Sequence, residues 1–132
     1  MTWLTPGLLL TDTATGLSYR LMQPQPPTPQ RCLVLLHGVG GNELSVARLA
    51  DGVGSGTLVV LVRGALTMGE ESFAWFEVEF TPSGPRIAWE QAEQSRQKLI
   101  QLLSTLRDYY GVEAEQTVVA GFSQGGIMSA GV

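Results

Sequence analysis

A serine within a glycine-rich turn is the residue of this sequence best suited to do chemistry. Residues 121–125 read Gly-Phe-Ser-Gln-Gly and follow the apolar run 117–120. The pattern G-x-S-x-G is typical of a sharp strand-to-helix turn, in which a strained backbone lifts the serine hydroxyl clear of the sheet. Ser123 is therefore a candidate nucleophile, and a serine in that position attacks an electrophilic carbonyl carbon.

The residues around Ser123 support this interpretation. Gly121 and Gly125 leave room where the strand and the helix nearly touch, because a Cβ atom at either position would clash. The backbone N–H of Gln124 lies at the start of the predicted helix, where it can donate a hydrogen bond to a developing oxyanion. The alternative is an ordinary serine in a strand-helix turn, and the placement of the pattern after a buried strand favours the nucleophile.

A second glycine-rich segment, residues 37–42 (His-Gly-Val-Gly-Gly-Asn), directly follows the apolar run 32–36. A glycine-rich loop at the end of a strand can cradle a phosphate group. Residues 38–41 lack the G-x-G-x-x-G spacing of a dinucleotide site, and no Lys-Ser or Lys-Thr pair follows as in a P-loop. Nucleotide binding is therefore not expected.

Hydrophobic periodicity predicts the strands that position these two segments. The continuous apolar runs 32–36 and 57–62 are typical of strands covered on both faces. Residues 7–11 and 17–21 flank a turn and predict a short antiparallel pair. Residues 65–85 have no periodicity and predict a long loop, of the kind that tends to be functional.

Two helices are predicted between the strands. The first begins after Asn42, a favourable capping residue, and ends near Gly52. Its apolar side is expected to consist of Leu44, Ala47, Leu49 and Ala50. The second runs from about residue 87 to residue 109 and stops at Gly111. Its apolar stripe is expected to consist of Ala92, Leu99, Leu102, Leu103, Leu106 and Tyr110.

Strands that alternate with helices predict an α/β fold, with a mostly parallel sheet, helices on both of its faces and a site at the carboxyl ends of the strands. We expect a single domain over residues 1–132. A chain of 132 residues, 44% of them hydrophobic and 15% charged, is long enough for one core and too apolar for disorder. Its net charge of −4 offers no basic surface for nucleic acid.

Composition also predicts where the protein works. Cys32 is the sole cysteine, which rules out an intrachain disulfide and favours a reducing compartment. Its position at the start of a buried strand predicts an inert core thiol. The N-terminus lacks the basic region of a signal peptide, and no stretch approaches the roughly 20 apolar residues of a membrane span. A cytoplasmic protein without integral membrane contact is expected.

Several other side chains have two interpretations. Arg63 could meet a substrate carboxylate, but a structural salt bridge with an acid is the expected role. Trp3 and Trp89 are expected to be packing residues. Four acids could suggest a metal site, but they lack histidines and ligand spacing, so solvated surface is the better interpretation. These acids are Glu70, Glu71, Glu77 and Glu79.

Three segments together resemble the α/β-hydrolase fold, and more closely its phospholipase/carboxylesterase family, which includes the acyl-protein thioesterases. Residues 35–42 resemble the family's oxyanion loop, and residues 120–126 resemble its nucleophile block. Arg63 and Gly64, with residues 74–76, resemble its substrate-side loop. The segments occur in the family's order and at its spacing, and their setting spans nearly all of the chain.

The resemblance implies a role for each matching residue. Ser123 would be the nucleophile, and the backbone N–H groups of Val39 and Gln124 would form the oxyanion hole. The implied reaction has two steps: Ser123 attacks the carbonyl of a small-molecule ester or thioester, and water then releases the acyl group. This chemistry needs side chains and water, so no cofactor and no metal are expected.

The resemblance also implies residues that contact the substrate. Gly38 belongs to the oxyanion loop and would lie beside the bound substrate. Trp75 and Phe76 would line or shape the acyl or alcohol pocket. Aromatic residues in a loop also serve as a cover over the core, and that alternative stays open for both.

The sequence departs from the family pattern in one respect. The family's triad follows the order serine, acid, histidine, whereas nine residues follow Ser123 here and none is acidic or histidine. The single histidine, His37, lies in the oxyanion loop and is expected to position that loop. We therefore expect the amino-terminal part of a longer hydrolase, in which the acid, the histidine and the C-terminal strands and helices lie in a missing part.

Two further expectations follow from this departure. The alternative function is that of a catalytically inactive α/β-hydrolase-like protein that binds a ligand or a partner through the same cleft. The strand that precedes Ser123 would keep an unpaired edge, which would favour pairing with something, and a homodimer is one such arrangement.

Overall fold

A computed structural model describes residues 4–132, and within them a six-stranded sheet carries the fold. The strands are β1 (Thr5–Pro6), β2 (Leu10–Thr11), β3 (Ser18–Gln23), β4 (Arg31–Leu36), β5 (Thr57–Val62), β6 (Leu66–Gly69), β7 (Ser72–Ala74), β8 (Val78–Thr81), β9 (Gly84–Ile87) and β10 (Thr117–Gly121). The α-helices are α1 (Trp89–Tyr110) and α2 (Gln124–Ala130), and the 3-10 helices are Glu43–Ala50 and Ala114–Gln116.

Three neighbouring strands of the sheet, β5, β4 and β10, are parallel. The order is β1-β3-β5-β4-β10, with β2 also paired to β3. In β4, Leu36 pairs with Val62 of β5 and with Gly121 of β10, so the carboxyl ends of all three strands meet at one edge. β3 runs antiparallel to β5, and β1 and β2 run antiparallel to β3. The sheet is thus mixed, with parallel strands where the site was predicted.

Helices cover both faces of the sheet, as predicted. On one face α1 and α2 pack on the alternating side chains of β4 and β5, in a core that includes Val34, Leu36, Val60, Val62, Leu99, Leu102, Leu103 and Met128. On the other face the helix Glu43–Ala50 packs on a smaller core of Met22, Leu35, Val46, Ala50, Val59 and Leu61. Cys32 lies in the larger core, and its burial raises the pKa of its thiol to about 11, as expected of an inert cysteine.

The helix Glu43–Ala50 has the predicted cap and part of the predicted buried face. The side chain of Asn42 accepts a hydrogen bond from the Leu44 N–H at 2.9 Å. Ala50 is buried and Ala47 packs against the smaller core as predicted, whereas Leu44 and Leu49 are 43% and 54% exposed. For the two leucines the prediction was wrong, because the helix instead buries Glu43 and Val46 beside Ala50, with the Glu43 carboxylate paired to arginines.

Residues 65–85 are not the loop that was predicted. β6 pairs with β7 and β8 pairs with β9, which makes two antiparallel hairpins. Their strands have three or four residues, most of them at least partly exposed, so they leave no apolar alternation in the sequence.

The long helix begins and ends close to the predicted positions. Ile87 still pairs with Val78 in the second hairpin, so α1 starts at Trp89. Its end at Gly111, in the left-handed conformation with φ 71°, is as predicted. Trp89 is 67% exposed and is not the packing residue that was expected. Trp3 lies outside the described residues.

Candidate active site

Ser123 lies in a strained turn at the carboxyl edge of the sheet. It connects β10 to α2, its side chain is exposed, and its backbone has φ 56° and ψ −117°. A positive φ is unfavourable for any residue with a Cβ atom, so the surrounding contacts must hold it there. Gly121 and Gly125 make these contacts possible, because a Cβ at Gly121 would overlap the Gly125 carbonyl and a Cβ at Gly125 would overlap the Leu36 carbonyl.

The glycine-rich loop of residues 38–41 packs directly against this turn. A Cβ added at Gly38 would lie 3.3 Å from the Cβ of Ser123, so the loop and the nucleophile turn are in contact. Backbone hydrogen bonds fasten the loop to the hairpin β6–β7. The Gly40 N–H donates to the Phe73 carbonyl at 2.9 Å, and the Phe73 N–H donates to the Gly41 carbonyl at 2.9 Å.

Two backbone N–H groups near Ser123 are free to receive a ligand. Within residues 4–132, neither the N–H of Val39 nor that of Gln124 donates a hydrogen bond to another protein group. The turn and the loop that carry them are in contact through Gly38. The structure thus brings together the four residues for which the sequence predicted catalytic or binding roles around the serine: Ser123, Gln124, Gly38 and Val39.

His37 is buried at the base of the loop, and both of its ring nitrogens are occupied. Nδ1 lies 2.6 Å from the Gly38 carbonyl oxygen, and Nε2 accepts a hydrogen bond from the Gly64 N–H at 2.8 Å. These partners assign the neutral tautomer that carries its proton on Nδ1. Neither nitrogen has a lone pair to offer Ser123, so the arrangement suits a residue that positions the loop.

The burial of His37 predicts a pH dependence of stability. Burial lowers the pKa of His37 from its ordinary value of 6.5, and the hydrogen bond to Gly38 only partly offsets it. As the pH falls below about 6.5, His37 binds a proton in the unfolded chain but not in the folded chain. The free energy of unfolding therefore decreases by up to about 1.4 kcal/mol per pH unit.

Chemical denaturation between pH 7.5 and 5.5 measures this slope. Because His37 is the sole histidine of the chain, a His37→Gln variant is expected to lose the slope in that window, whatever its absolute stability. An equal slope in the variant would assign the pH dependence to other groups.

The structure places Trp75 and Phe76 beneath the candidate site and not on its surface. Their side chains are 0% and 1% exposed and belong to the larger core. The indole N–H of Trp75 donates to the His37 carbonyl at 2.9 Å. Within the described residues these side chains therefore shape the site from below, and direct contact with a substrate stays a prediction.

A buried ion cluster beside the loop was not foreseen from the sequence. The Glu43 carboxylate is fully buried and accepts hydrogen bonds from Arg20 Nε and Arg63 Nε, each at 2.7 Å. Burial alone would raise the pKa of Glu43, but the bonds from Arg63 and Arg20 outweigh it and hold the pKa below its usual value. Arg63 thus makes the salt bridge that was expected of it.

A signal for this cluster was present in the sequence. Glu43, Val46 and Ala50 recur at helical spacing, so the apolar stripe of that helix carries an acid at one end. An acid on a buried stripe calls for a cationic partner, and Arg63 follows directly after the buried strand β5.

Replacing this carboxylate by its neutral amide is expected to destabilise the fold. Glu43→Gln keeps the shape but leaves Arg20 without its carboxylate partner and Arg63 with the exposed Glu71 carboxylate at 3.8 Å alone, and both arginines are partly screened by solvent. We expect a loss of about 2 kcal/mol in the free energy of unfolding, measured in urea. Glu93→Gln, which breaks the fully exposed pair with Arg96, is the matched control and is expected to leave the midpoint unchanged.

Comparison with known protein families agrees with the geometry of the site. The model of the phospholipase/carboxylesterase family matches residues 20–131. The chain belongs to that family. The match includes the loop of residues 38–41, the ion cluster and the nucleophile turn, and it confirms the resemblance found in the sequence. No functionally curated protein matches the chain.

Solved structures of carboxylesterases have the same α/β-hydrolase fold. A carboxylesterase from Mesorhizobium loti is 26% identical, with a TM-score of 0.75 over 94% of this chain and 56% of its own. The Bacillus cereus carboxylesterase is 26% identical, with a TM-score of 0.68 over 86% of this chain and 51% of its own. Acyl-protein thioesterase 2 of Zea mays is 23% identical, with a TM-score of 0.60 over 84% and 48%. This family member thus spans about half the length of these structures.

Two absences apply to the part of this carboxylesterase-family chain that the structure describes. The Ser123 hydroxyl makes no hydrogen bond to another residue among residues 4–132, so no general base contacts it there. None of the helices in the same range is long and apolar enough to cross a bilayer.

The buried side chain of Gln124 is a second feature of the candidate site that the sequence interpretation missed. The sequence indicated a role for its backbone N–H alone, but its side chain is buried and makes three hydrogen bonds to Trp75 and Phe76. A glutamine flanked by Ser123 and Gly125 carries no local signal that its side chain is buried against residues some fifty positions earlier.

Proposed function

We propose that the protein is a serine hydrolase that cleaves carboxylic esters or thioesters through an acyl-enzyme on Ser123. The observation that carries the proposal is the strained, exposed Ser123 at the edge where three parallel strands end. A serine hydroxyl held in this way at the tip of a strand-helix turn is the geometry of a nucleophile elbow. Membership of a carboxylesterase family supports the same conclusion.

The reaction has two halves. Ser123 Oγ bonds to the carbonyl carbon while its proton passes to a base, and the carbonyl oxygen becomes an oxyanion that the N–H groups of Val39 and Gln124 stabilise. The oxyanion then collapses, and the alcohol or thiol leaves with that proton. Water, deprotonated by the same base, attacks the acyl carbon and releases the carboxylic acid and Ser123.

The proposal includes a base and its acidic partner that are supplied from outside the 132 residues. Two observations support this view. Both nitrogens of His37 are occupied, and the chain spans 56% of the Mesorhizobium loti carboxylesterase. The proposed substrates are small cytoplasmic esters or thioesters. Pairing of the β10 edge in a homodimer is proposed as an arrangement that leaves the site intact.

The test is covalent labelling with a fluorophosphonate. Ser123 Oγ forms a bond to phosphorus, and fluoride leaves with the serine proton. Intact-mass and peptide spectra of the full-length protein, which supplies the proposed base, are expected to show one adduct per chain, on the peptide that contains Ser123. Ser123→Ala is expected to give none, whereas Ser129→Ala, a serine of α2 that bonds to the Gly126 carbonyl, is expected to label like the unmodified protein. An adduct on Ser123→Ala would contradict the assignment.

A second candidate function is that of a catalytically inactive binding protein. The unpartnered Ser123 hydroxyl favours it, since a serine without a base is a weak nucleophile. This candidate predicts no adduct and no ester hydrolysis, together with saturable binding of a carboxylic acid that the Gln124→Met variant weakens. Labelling of Ser123 would exclude it.

A further inference from the structure

The side chain of Gln124 connects the nucleophile turn to a segment of the chain nearly fifty residues away. Its Oε1 accepts hydrogen bonds from the Trp75 N–H at 2.7 Å and the Phe76 N–H at 3.3 Å. Its Nε2 donates to the Phe76 carbonyl at 2.8 Å. The side chain is 4% exposed, so water does not compete for these bonds. The amide thus serves as a partner for two successive peptide groups that no strand satisfies.

The segment that Gln124 grips also supports the glycine-rich loop. The Trp75 indole donates to the His37 carbonyl at 2.9 Å, and the Gly40 N–H donates to the Phe73 carbonyl at 2.9 Å. The Ser72 hydroxyl donates to the Gly40 carbonyl at 3.0 Å. Residues 72–76 therefore hold the loop that carries one candidate oxyanion donor, the Val39 N–H.

The other candidate donor is the N–H of Gln124 itself. This N–H belongs to the same residue as the side chain that bonds to Trp75 and Phe76, so those bonds also hold the N–H in place. A hydrogen-bonded amide that is buried is costly to displace, because every freed donor or acceptor would lie unpaired in the core. Residues 72–76 thus hold both candidate donors, and the distance between the two donors depends on this segment.

We propose that the side chain of Gln124 is a positioning residue that sets the relative placement of the two oxyanion donors. This role rests on the proposed function, since the donors matter for catalysis if Ser123 attacks a carbonyl. The side chain makes its hydrogen bonds to Trp75 and Phe76, and among residues 4–132 it makes none to Ser123 Oγ. It acts through residues 72–76 on the loop, so its removal loosens groups to which it makes no hydrogen bond.

The first test is amide hydrogen exchange measured by NMR, which needs no catalytic activity. Gln124→Met retains the length of the side chain and removes all three hydrogen bonds. We expect exchange at Phe73 and Gly40, which make no hydrogen bond to Gln124, to become at least about tenfold faster. Amides in the centre of β4 and β5 are expected to exchange at the unmodified rate.

Gln91→Met is the matched control. Gln91 also bonds its amide to the same stretch of chain, with Oε1 accepting from the Glu77 N–H at 2.7 Å and Nε2 donating to the Glu77 carboxylate at 2.9 Å. It belongs to α1 and not to the nucleophile turn. Its replacement is expected to leave exchange at Phe73 and Gly40 unchanged.

The second test separates positioning from stability. For ester hydrolysis, Gln124→Met is expected to lower kcat at least about tenfold with KM nearly unchanged, because misplaced donors weaken the transition state and not substrate binding. A protein that hydrolyses no ester would refute the proposed function, and the exchange test would still decide the positioning role. Unchanged exchange at Phe73 and Gly40 in Gln124→Met would overturn that role.

A second variant covers the case in which Gln124→Met does not fold. Gln124→Glu keeps the two accepted hydrogen bonds and loses the one donated to the Phe76 carbonyl. We expect it to increase exchange at Gly40 as well, because the buried carboxylate oxygen that replaces Nε2 faces the Phe76 carbonyl oxygen with no proton between them. No increase at Gly40 in this variant would also overturn the positioning role.

Discussion

Ester hydrolysis is expected to fall about 10⁴-fold or more in kcat/KM when Ser123 is replaced by alanine, because the acyl-enzyme then has no oxygen on which to form. The oxyanion donors are backbone groups, so the variant retains them and any residual rate reports their contribution alone. The measurement is steady-state hydrolysis of a chromogenic ester by the full-length protein, which supplies the proposed base, over a range of substrate concentrations, with active-site titration to exclude contaminating esterases. Substantial turnover by Ser123→Ala would remove Ser123 from the mechanism.

The same substitution is expected to leave the fold intact. The Ser123 side chain is exposed and has no hydrogen-bond partner within residues 4–132, and alanine adopts the strained backbone at a similar cost. The free energy of unfolding should therefore stay within about 0.5 kcal/mol of the unmodified value. A large loss of stability would mean that the fall in activity reflects unfolding.

Ser129→Ala is the control for both measurements. Ser129 lies six residues further along the chain in α2, where its hydroxyl donates a hydrogen bond to the Gly126 carbonyl at 2.7 Å and not to a group of the candidate site. It is expected to retain activity and to lose at most about 1 kcal/mol of stability.

The sequence predicts well those features that depend on neighbouring residues. The buried strands β4 and β5 are continuous apolar runs, and a parallel sheet needs such runs because it is covered on both faces. The strand before Ser123 was also expected to be buried, but β10 lies at the edge of the described sheet, none of its residues is buried and Val118 is 60% exposed. The turn at Ser123 is likewise local, since two glycines and a serine within five residues determine its shape. The family resemblance came from the same short segments and was confirmed by the match over residues 20–131.

The features that the sequence did not predict depend on residues far apart in the chain. Glu43 is buried because Arg20 and Arg63 meet at its carboxylate, and these arginines lie 23 and 20 positions away in the chain. The Gln124 side chain is buried because the chain returns to it with two unpaired N–H groups. Because these partners are distant in the chain, the sequence indicated no role for Glu43 and a backbone role alone for Gln124.

The two short hairpins were not predicted, for a different reason. β6 to β9 are held by backbone pairing and not by a buried face, so their sequences do not alternate. Their function is visible in the structure, where the first hairpin holds the glycine-rich loop through Phe73. A stretch without hydrophobic periodicity can thus form strands when the two halves of the stretch pair with each other.

Gly125→Ala is expected to produce the largest loss of stability, about 3 kcal/mol or more. The added Cβ would overlap the Leu36 carbonyl and lie 2.5 Å from the His37 oxygen. Both are backbone atoms at the end of β4, so no side-chain rotation can relieve the clash. The helix α2 would have to move away from the sheet, which breaks the packing of Met128 in the larger core.

Gly126→Ala is the matched control for this effect, since it adds the same methyl group one residue further along the same helix. Its Cβ would lie 3.2 Å from the Gly121 carbonyl, with the next neighbour at 3.7 Å. Alanine is also the better helix former, by about 1 kcal/mol. The tight contact and the helix preference oppose each other, so we expect a change of less than about 1 kcal/mol.

Urea denaturation of both glycine variants decides between two accounts of the G-x-S-x-G pattern. If the second glycine serves packing, Gly125→Ala is destabilised far more than Gly126→Ala, and equal stabilities would show that α2 can shift freely over β4. The comparison with Ser123→Ala then separates the two parts of the pattern. The serine is expected to be dispensable for folding and required for hydrolysis, whereas the glycine is required for the fold that presents the serine.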